Sequence, residues 1–203
     1  MAVSWTKHRF AGGALVLDTA NTVVLRCDPS RTFDRFEDPA EIARFASAAS
    51  GFRSGELGGR ALVVNDPEAV ASRVLAVREA ADRLFRFAVS SGDIETAHLP
   101  ALLRACAACL DGSSAGIGAS GRPFGDPSAP IAFETALAVS ALSLLSGNMA
   151  AKLKVCPNCG WLFLDRSRNS SRLWCDMTVC GNRHKAKRHY RRRKAALEDV
   201  LHV

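Results

Sequence analysis

The sequence predicts a mainly α-helical fold, with a helical N-terminal domain over residues 1–150 and a small cysteine-rich module over 151–203 that ends in a basic helix. Three observations predict it. Apolar residues recur at helical spacing through the first part of the chain. Four of the seven cysteines fall into two pairs between positions 156 and 180. Charge is divided unevenly: residues 152–194 carry a net +11, and the rest of the chain sums to −4.

A length of 203 residues suffices for one medium domain with a small appended module, and 48% hydrophobic against 23% charged residues is an ordinary globular balance. No cationic start runs into an apolar stretch as in a signal peptide. The most apolar segment, 136–145, is interrupted by Ser140 and Ser143 and is too short for a bilayer core of ~30 Å. The expectation is a cytoplasmic protein with no membrane span. In that compartment thiols stay reduced, so paired cysteines point to a metal rather than to disulfides.

The elements follow in order. Residues 13–26 form an apolar run that suits either a strand or a buried helix. Asp38-Pro39 supplies a cap and a first-turn proline for a helix over 41–49, with Gly51 as its stop. Asp66-Pro67-Glu68 repeats the signal ahead of the longest pattern, in which Val70, Val74, Val77, Ala81, Leu84, Phe85 and Ala88 share one face and Gly92 ends the helix. Further helices are predicted over 100–110 and 133–146, the second apolar on nearly every side and so buried. Between them, residues 111–130 hold five Gly, four Ser and three Pro, which reads as a long loop with room for a short hairpin. A break near 147–154 precedes the module. Cys106 and Cys109 also make a C-x2-C, but in a helix-like apolar run with no second pair, where cysteine behaves as a small hydrophobe.

In the module the spacing is Cys156-x2-Cys159, fifteen residues, then Cys175-x4-Cys180. Zn2+ favours four ligands in a tetrahedron, and thiolate sulfur is a preferred donor. Cys-Pro-Asn-Cys-Gly sets two sulfurs on one side of an ion, with Gly160 permitting the tight backbone turn, and the second pair closes the site. Trp161-Leu162-Phe163-Leu164 and Leu173-Trp174 flank the polar turn Arg168-Asn169-Ser170-Ser171, which predicts a hairpin over 161–174. Knuckle, β-hairpin and basic α-helix together make a treble-clef-like finger. Trp161 and Trp174, beside the ligands, are expected to be its core.

Past Gly181, at 100° per residue, His184, Lys185, Lys187, Arg188, Arg191 and Arg192 spread over one half of the helix, while Ala186, Tyr190 and Leu197 fall on the other. The expectation is that the apolar half packs on the hairpin and the cations face a polyanion, with Arg183 serving locally. No acid lies between Asp176 and Glu198 to relieve the repulsion. Such a helix fits a DNA major groove and neutralises phosphates.

Trp174-Cys175-Asp176-Met177 and Cys180-Gly181-Asn182-Arg183, followed by Lys185, Lys187 and Arg188, resemble the CGNR zinc finger. Cys159-Gly160-Trp161-Leu162-Phe163-Leu164-Asp165 agrees with that pattern. Gly12-Gly13 and Leu17-Asp18-Thr19-Ala20-Asn21-Thr22 resemble the opening motif of the ABATE domain, which precedes this finger in bacterial proteins. The resemblance implies a stress-responsive transcription regulator, with a mostly helical sensing domain and a DNA-binding finger whose zinc ligands are Cys156, Cys159, Cys175 and Cys180.

Polar residues set in apolar runs, Asp18, Asn21, Arg26 and Arg78, are candidates for a small-molecule site; the alternative is that they cap or cross-link helices. An enzyme using Asp18, Asn21 and His8 is disfavoured, because no Ser-His-Asp set, phosphate-cradling Gly loop or nucleotide fingerprint is present. A fully thiolate-ligated zinc also leaves no open position for a catalytic water. Double-stranded DNA is the expected partner of the basic helix. RNA or the ribosome is the alternative, as is use of the finger for protein docking or dimerisation. A homodimer would extend the short site that one finger reads.

Overall fold

A computed structural model describes residues 3–113, 129–146 and 149–201, with side chains to residue 193. The ambiguous segment near the N-terminus resolves into both alternatives in succession. A short helix, α1 (Leu15–Ala20), is followed by a two-residue strand, β1 (Val23–Val24), antiparallel to β2 (Phe33–Asp34). Every residue of α1 is buried. A helix sunk in the core cannot give its first amides to water. Here the Glu56 carboxylate accepts from Leu15 N at 2.9 Å and Ser140 Oγ accepts from Val16 N at 3.1 Å.

α2 (Ala40–Phe52) begins as expected, with Asp38 accepting from Ala40 N at 2.9 Å. It runs through Gly51, however, and ends at Phe52, with Arg53 as its C-cap. With nothing within 4 Å of a Cβ there, Gly51 sits on an open face, and a helical hydrogen bond from Arg53 N to Ala49 O carries the chain past it. α3 (Ser54–Leu57) follows, then β3 (Leu62–Val63), which pairs in parallel with β4 (Ile131–Ala132).

α4 (Pro67–Ser91) is the spine. Asp66 caps it by accepting from Ala69 N at 3.1 Å, and Gly92 closes it in the left-handed conformation at φ 90°. Its predicted apolar face is buried throughout, against α1, α5 (Leu99–Leu110) and α6 (Phe133–Ser143). α6 is buried on nearly all sides. Cys106 and Cys109 lie in this core, their thiols pushed up to about 12 and about 11, in each case chiefly by burial. The loop and hairpin expected over 111–130 fall largely outside the described residues.

The last hairpin is β5 (Leu153–Val155) with β6 (Leu162–Leu164), antiparallel with Leu153 opposite Leu164. Leu153, Leu162 and Leu164 belong to the same buried cluster as Phe45, Phe85 and Leu137, and β5 packs on α4. α7 (Asn182–Leu201) ends the chain.

Candidate zinc centre and basic helix

The hairpin lies elsewhere than the sequence suggests. It does not span 161–174; it carries the first cysteine pair at its tip, between β5 and β6. Cys156 N donates to Trp161 O, and Gly160 N to Cys156 O, both at 2.8 Å. Gly160 adopts φ 73°, the positive value that a residue with a side chain resists. Leu173 is 65% exposed and forms no strand. The reason is Asp165. Its carboxylate accepts from Ser167 N and Arg172 N, both at 2.9 Å, and from Lys154 Nζ at 2.7 Å, which gathers 165–172 into a loop. Lys154, Ser167 and these amides hold its carboxyl far below the usual range.

A second polar device positions the other cysteine pair. Asp176 Oδ1 accepts from Thr178 N at 2.8 Å and starts a π-helical turn, Met177–Gly181, that delivers Cys180. Gly181 lets the Met177 side chain lie close against the turn, since a Cβ would come 2.4 Å from Met177 Sδ and push that side chain aside. The four sulfurs of Cys156, Cys159, Cys175 and Cys180 then lie within 4.8 Å of one another. Cys159–Cys175 and Cys175–Cys180 are 3.5 and 3.6 Å apart. Bonds of ~2.3 Å in a tetrahedron demand sulfur–sulfur edges of roughly 3.8 Å, so four thiols gathered this closely can converge on one zinc ion. Around them Trp161 and Phe163 are buried, while Trp174 is half-buried and meets the His184 ring at 4.7 Å.

α7 departs from its expected seat. Arg183, His184, Lys185, Lys187, Arg188, Arg191 and Arg192 are exposed, but so are Ala186 and Tyr190, the latter at 69%. Among the described residues of the apolar half, Ala186 and Tyr190 do not pack on the hairpin, because β5–β6 spends its own apolar face on the body. α7 is anchored at its root, next to Cys180, and Leu197 lies outside the described side chains.

Asp18, Asn21, Arg26 and Arg78 do not converge on one cavity. Asp18 accepts from Gly12 N at 2.8 Å and from Arg53. Burial lifts its carboxyl to about 6, against the pull of Arg53 and the Gly12 amide. Asn21 behaves as a piece of extra strand: its side chain donates to Leu162 O at 2.8 Å and accepts from Leu162 N at 2.9 Å. Arg26 pairs with Glu79 at 2.6 Å, and Arg78 makes a two-pronged contact with Asp34 at 2.7 Å on each arm. Arg26 borders an open cleft of about 500 Å³, with Glu79, Asp82 and Arg86.

Several contacts that join body to finger have no sequence signal. Leu164 N donates to Gly12 O at 2.8 Å, and Arg86 donates to Gly160 O at 2.9 Å. His8 stacks on Trp161 at 5.2 Å and meets Asp176 at 2.9 Å. His8 thus touches the two ends of the finger rather than Asp18 or Asn21.

Fold and site define a class of protein: a helical body that carries a tetrathiolate zinc finger whose last element is a projecting cationic helix. The chain belongs to the ABATE family, described as "Putative stress-induced transcription regulator", which matches residues 13–148, and the CGNR zinc finger matches residues 152–193. A search of curated proteins returned no match. Among the described residues no helix is long and apolar enough to cross a membrane.

Proposed function

We propose that this protein regulates transcription from the cytoplasm by binding double-stranded DNA through α7, while the domain over 1–150 receives a signal or partner. The observation that carries this reading is the exposure of every described residue of α7, seven of them the cations Arg183, Lys185, Lys187, Arg188, Arg191, Arg192 and Arg193. A helix whose described residues are all exposed, with cations crowded along it, is poised for a polyanion, and its width suits a major groove. The zinc holds the root of α7 and leaves its length free to enter that groove.

Titration against duplex DNA and structured RNA at several salt concentrations tests the assignment. Replacing Arg188, Arg191 and Arg192 by Ala should weaken duplex binding at least tenfold at low salt. It should also flatten the log–log salt dependence by about 0.9 for each phosphate that is no longer neutralised. Stronger binding to RNA by the native protein would assign the helix to RNA. An unchanged duplex affinity in the variant would leave the finger to protein docking or dimerisation, for which the exposed Tyr190 offers an apolar anchor.

A further inference from the structure

Among the described residues, eight arginines of the body are drawn at least part-way into it. Arg26, Arg53, Arg73, Arg78 and Arg86 each meet a carboxylate, and Arg60 donates to the carbonyls of Ala129 and Pro130. Arg9 and Arg35 have no carboxylate within ion-pair distance among the described residues. The Arg35 guanidinium makes one hydrogen bond among the described residues, 3.3 Å to the carbonyl of Asn21, which leaves most of its five N–H groups unengaged. The Arg9 guanidinium forms no hydrogen bond among the described residues. The acid whose charge acts on it, Glu41, is already occupied by Val3 N, Trp5 Nε1 and Arg44.

Both guanidiniums rest on aromatic rings. Arg9 lies over Trp5 at 5.8 Å, and Arg35 over Trp161 at 5.5 Å and Phe33 at 5.5 Å. The platforms adjoin, since Trp5 packs on Phe36, the neighbour of Arg35, at 6.1 Å. Burial, with Arg9 as a second cause, brings Arg35 down to about 10, the sign expected of a cation lacking a counter-charge. This cluster sits at the seam with the finger: His8, beside Arg9, stacks on Trp161 and reaches Asp176, which starts the turn leading into α7.

We propose that Arg9 and Arg35, held on Trp5 and Trp161, form a phosphate-binding site at the seam between body and finger, which engages the backbone of the nucleic acid that α7 holds. The physical case is that a guanidinium held over a ring rather than paired with a carboxylate keeps donors free, and its fork of donors matches a phosphate. Two such forks without carboxylates are repulsive until an oxyanion arrives. The inference rests on the reading of α7 as the nucleic-acid face, but its chemistry also admits a free phosphorylated molecule. Two probes separate these sources, a 20-base-pair duplex and pyrophosphate.

The test compares native protein with Arg9→Gln/Arg35→Gln, Arg9→Lys/Arg35→Lys and Arg188→Ala/Arg191→Ala/Arg192→Ala. Zinc content and circular dichroism are checked in each. The Gln pair should flatten the duplex salt slope by about one to two while α7 is intact, and the Lys pair should restore most of it. Trp5 and Trp161 lie beneath the site, so a Trp174→Phe background gives a fluorescence signal from those two rings. That signal should respond to the duplex in native protein and fall away in the Gln pair. If the α7 triple variant keeps native duplex affinity, the reading of α7 fails. The seam then stands as a site for free phosphate provided pyrophosphate shifts the fluorescence and the Gln pair abolishes the shift. If the Gln pair changes neither the duplex slope nor the pyrophosphate response, the inference is wrong.

Discussion

At the scale of residues, the most informative is Asn21. It stands out in the sequence as a polar side chain inside an apolar run, and a ligand is one reading of that anomaly. In the structure both its amide groups are spent on the backbone of Leu162. Buried backbone groups must find partners, and an edge strand facing a helical body has few to choose from. Asn21→Ala should therefore cost about 2 kcal/mol, the penalty for leaving a buried donor and acceptor unmet, read as a lower urea midpoint. Asp18 makes a pH-dependent prediction. Its folded pKa of about 6 exceeds the ordinary carboxylate value, chiefly through burial. The folded state then holds the extra proton, so this contribution to stability is full below about pH 4 and is lost as pH rises through 6. Asp18→Asn should remove that loss, so that native protein declines relative to the variant between about pH 4 and 6.5. A native protein that gains on the variant over this range would contradict the burial argument.

At the scale of elements, what the sequence makes legible is whatever local chemistry settles. Asp66, Pro67 and Gly92 bound α4 as expected, because capping and chain reversal need no distant partner. Cysteine spacing likewise locates the metal centre, since a C-x2-C brings two sulfurs to one side locally and a second pair completes a set of four. The hairpin escapes such reading for a non-local reason. Leu173 and Trp174 look like a strand, yet Lys154 and Asp165, eleven positions apart, draw the backbone that follows into a loop. The exposure of α7 is equally hidden, since the amphipathic pattern shows an apolar half and not what is available to cover it. Zinc removal should separate the two kinds of element. The turn Met177–Gly181 and the root of α7 depend on Cys175 and Cys180, whereas β6 is held by Asn21, Gly12 and the core. On chelation, hydrogen exchange should accelerate through 174–185 while the amides of Leu162 and Leu164 stay protected. Uniform loss of protection across 153–185 would show that metal, rather than the body, holds the hairpin.

At the scale of the molecule, the boundary drawn from sequence near 150 and the boundary of cooperative packing are different things. Family matches end and resume around 148–152, yet Leu153, Leu162 and Leu164 lie in the body's own core over α1 and α4. Burying a leucine side chain stabilises by roughly 1.5–3 kcal/mol, so three of them approach the ~5–15 kcal/mol by which a typical domain is stable at all. A chain ending at residue 150 would also strand the side chain of Asn21 and the carbonyl of Gly12. It should lose cooperative thermal unfolding or precipitate. A chain carried to residue 166, with Cys156→Ser and Cys159→Ser so that no partial metal site remains, should recover most of that loss, because it restores β5–β6 without the zinc. If instead the chain ending at 150 melts as cooperatively as the full protein, the hairpin is a passenger on the body. The finger could then move independently, and a signal received by α1 or α4 would have no rigid route to α7. If the longer chain recovers, the elements that ligate the zinc and the elements that would sense a signal are parts of one folding unit. A change at Asn21, Arg86 or His8 would then be felt where α7 begins.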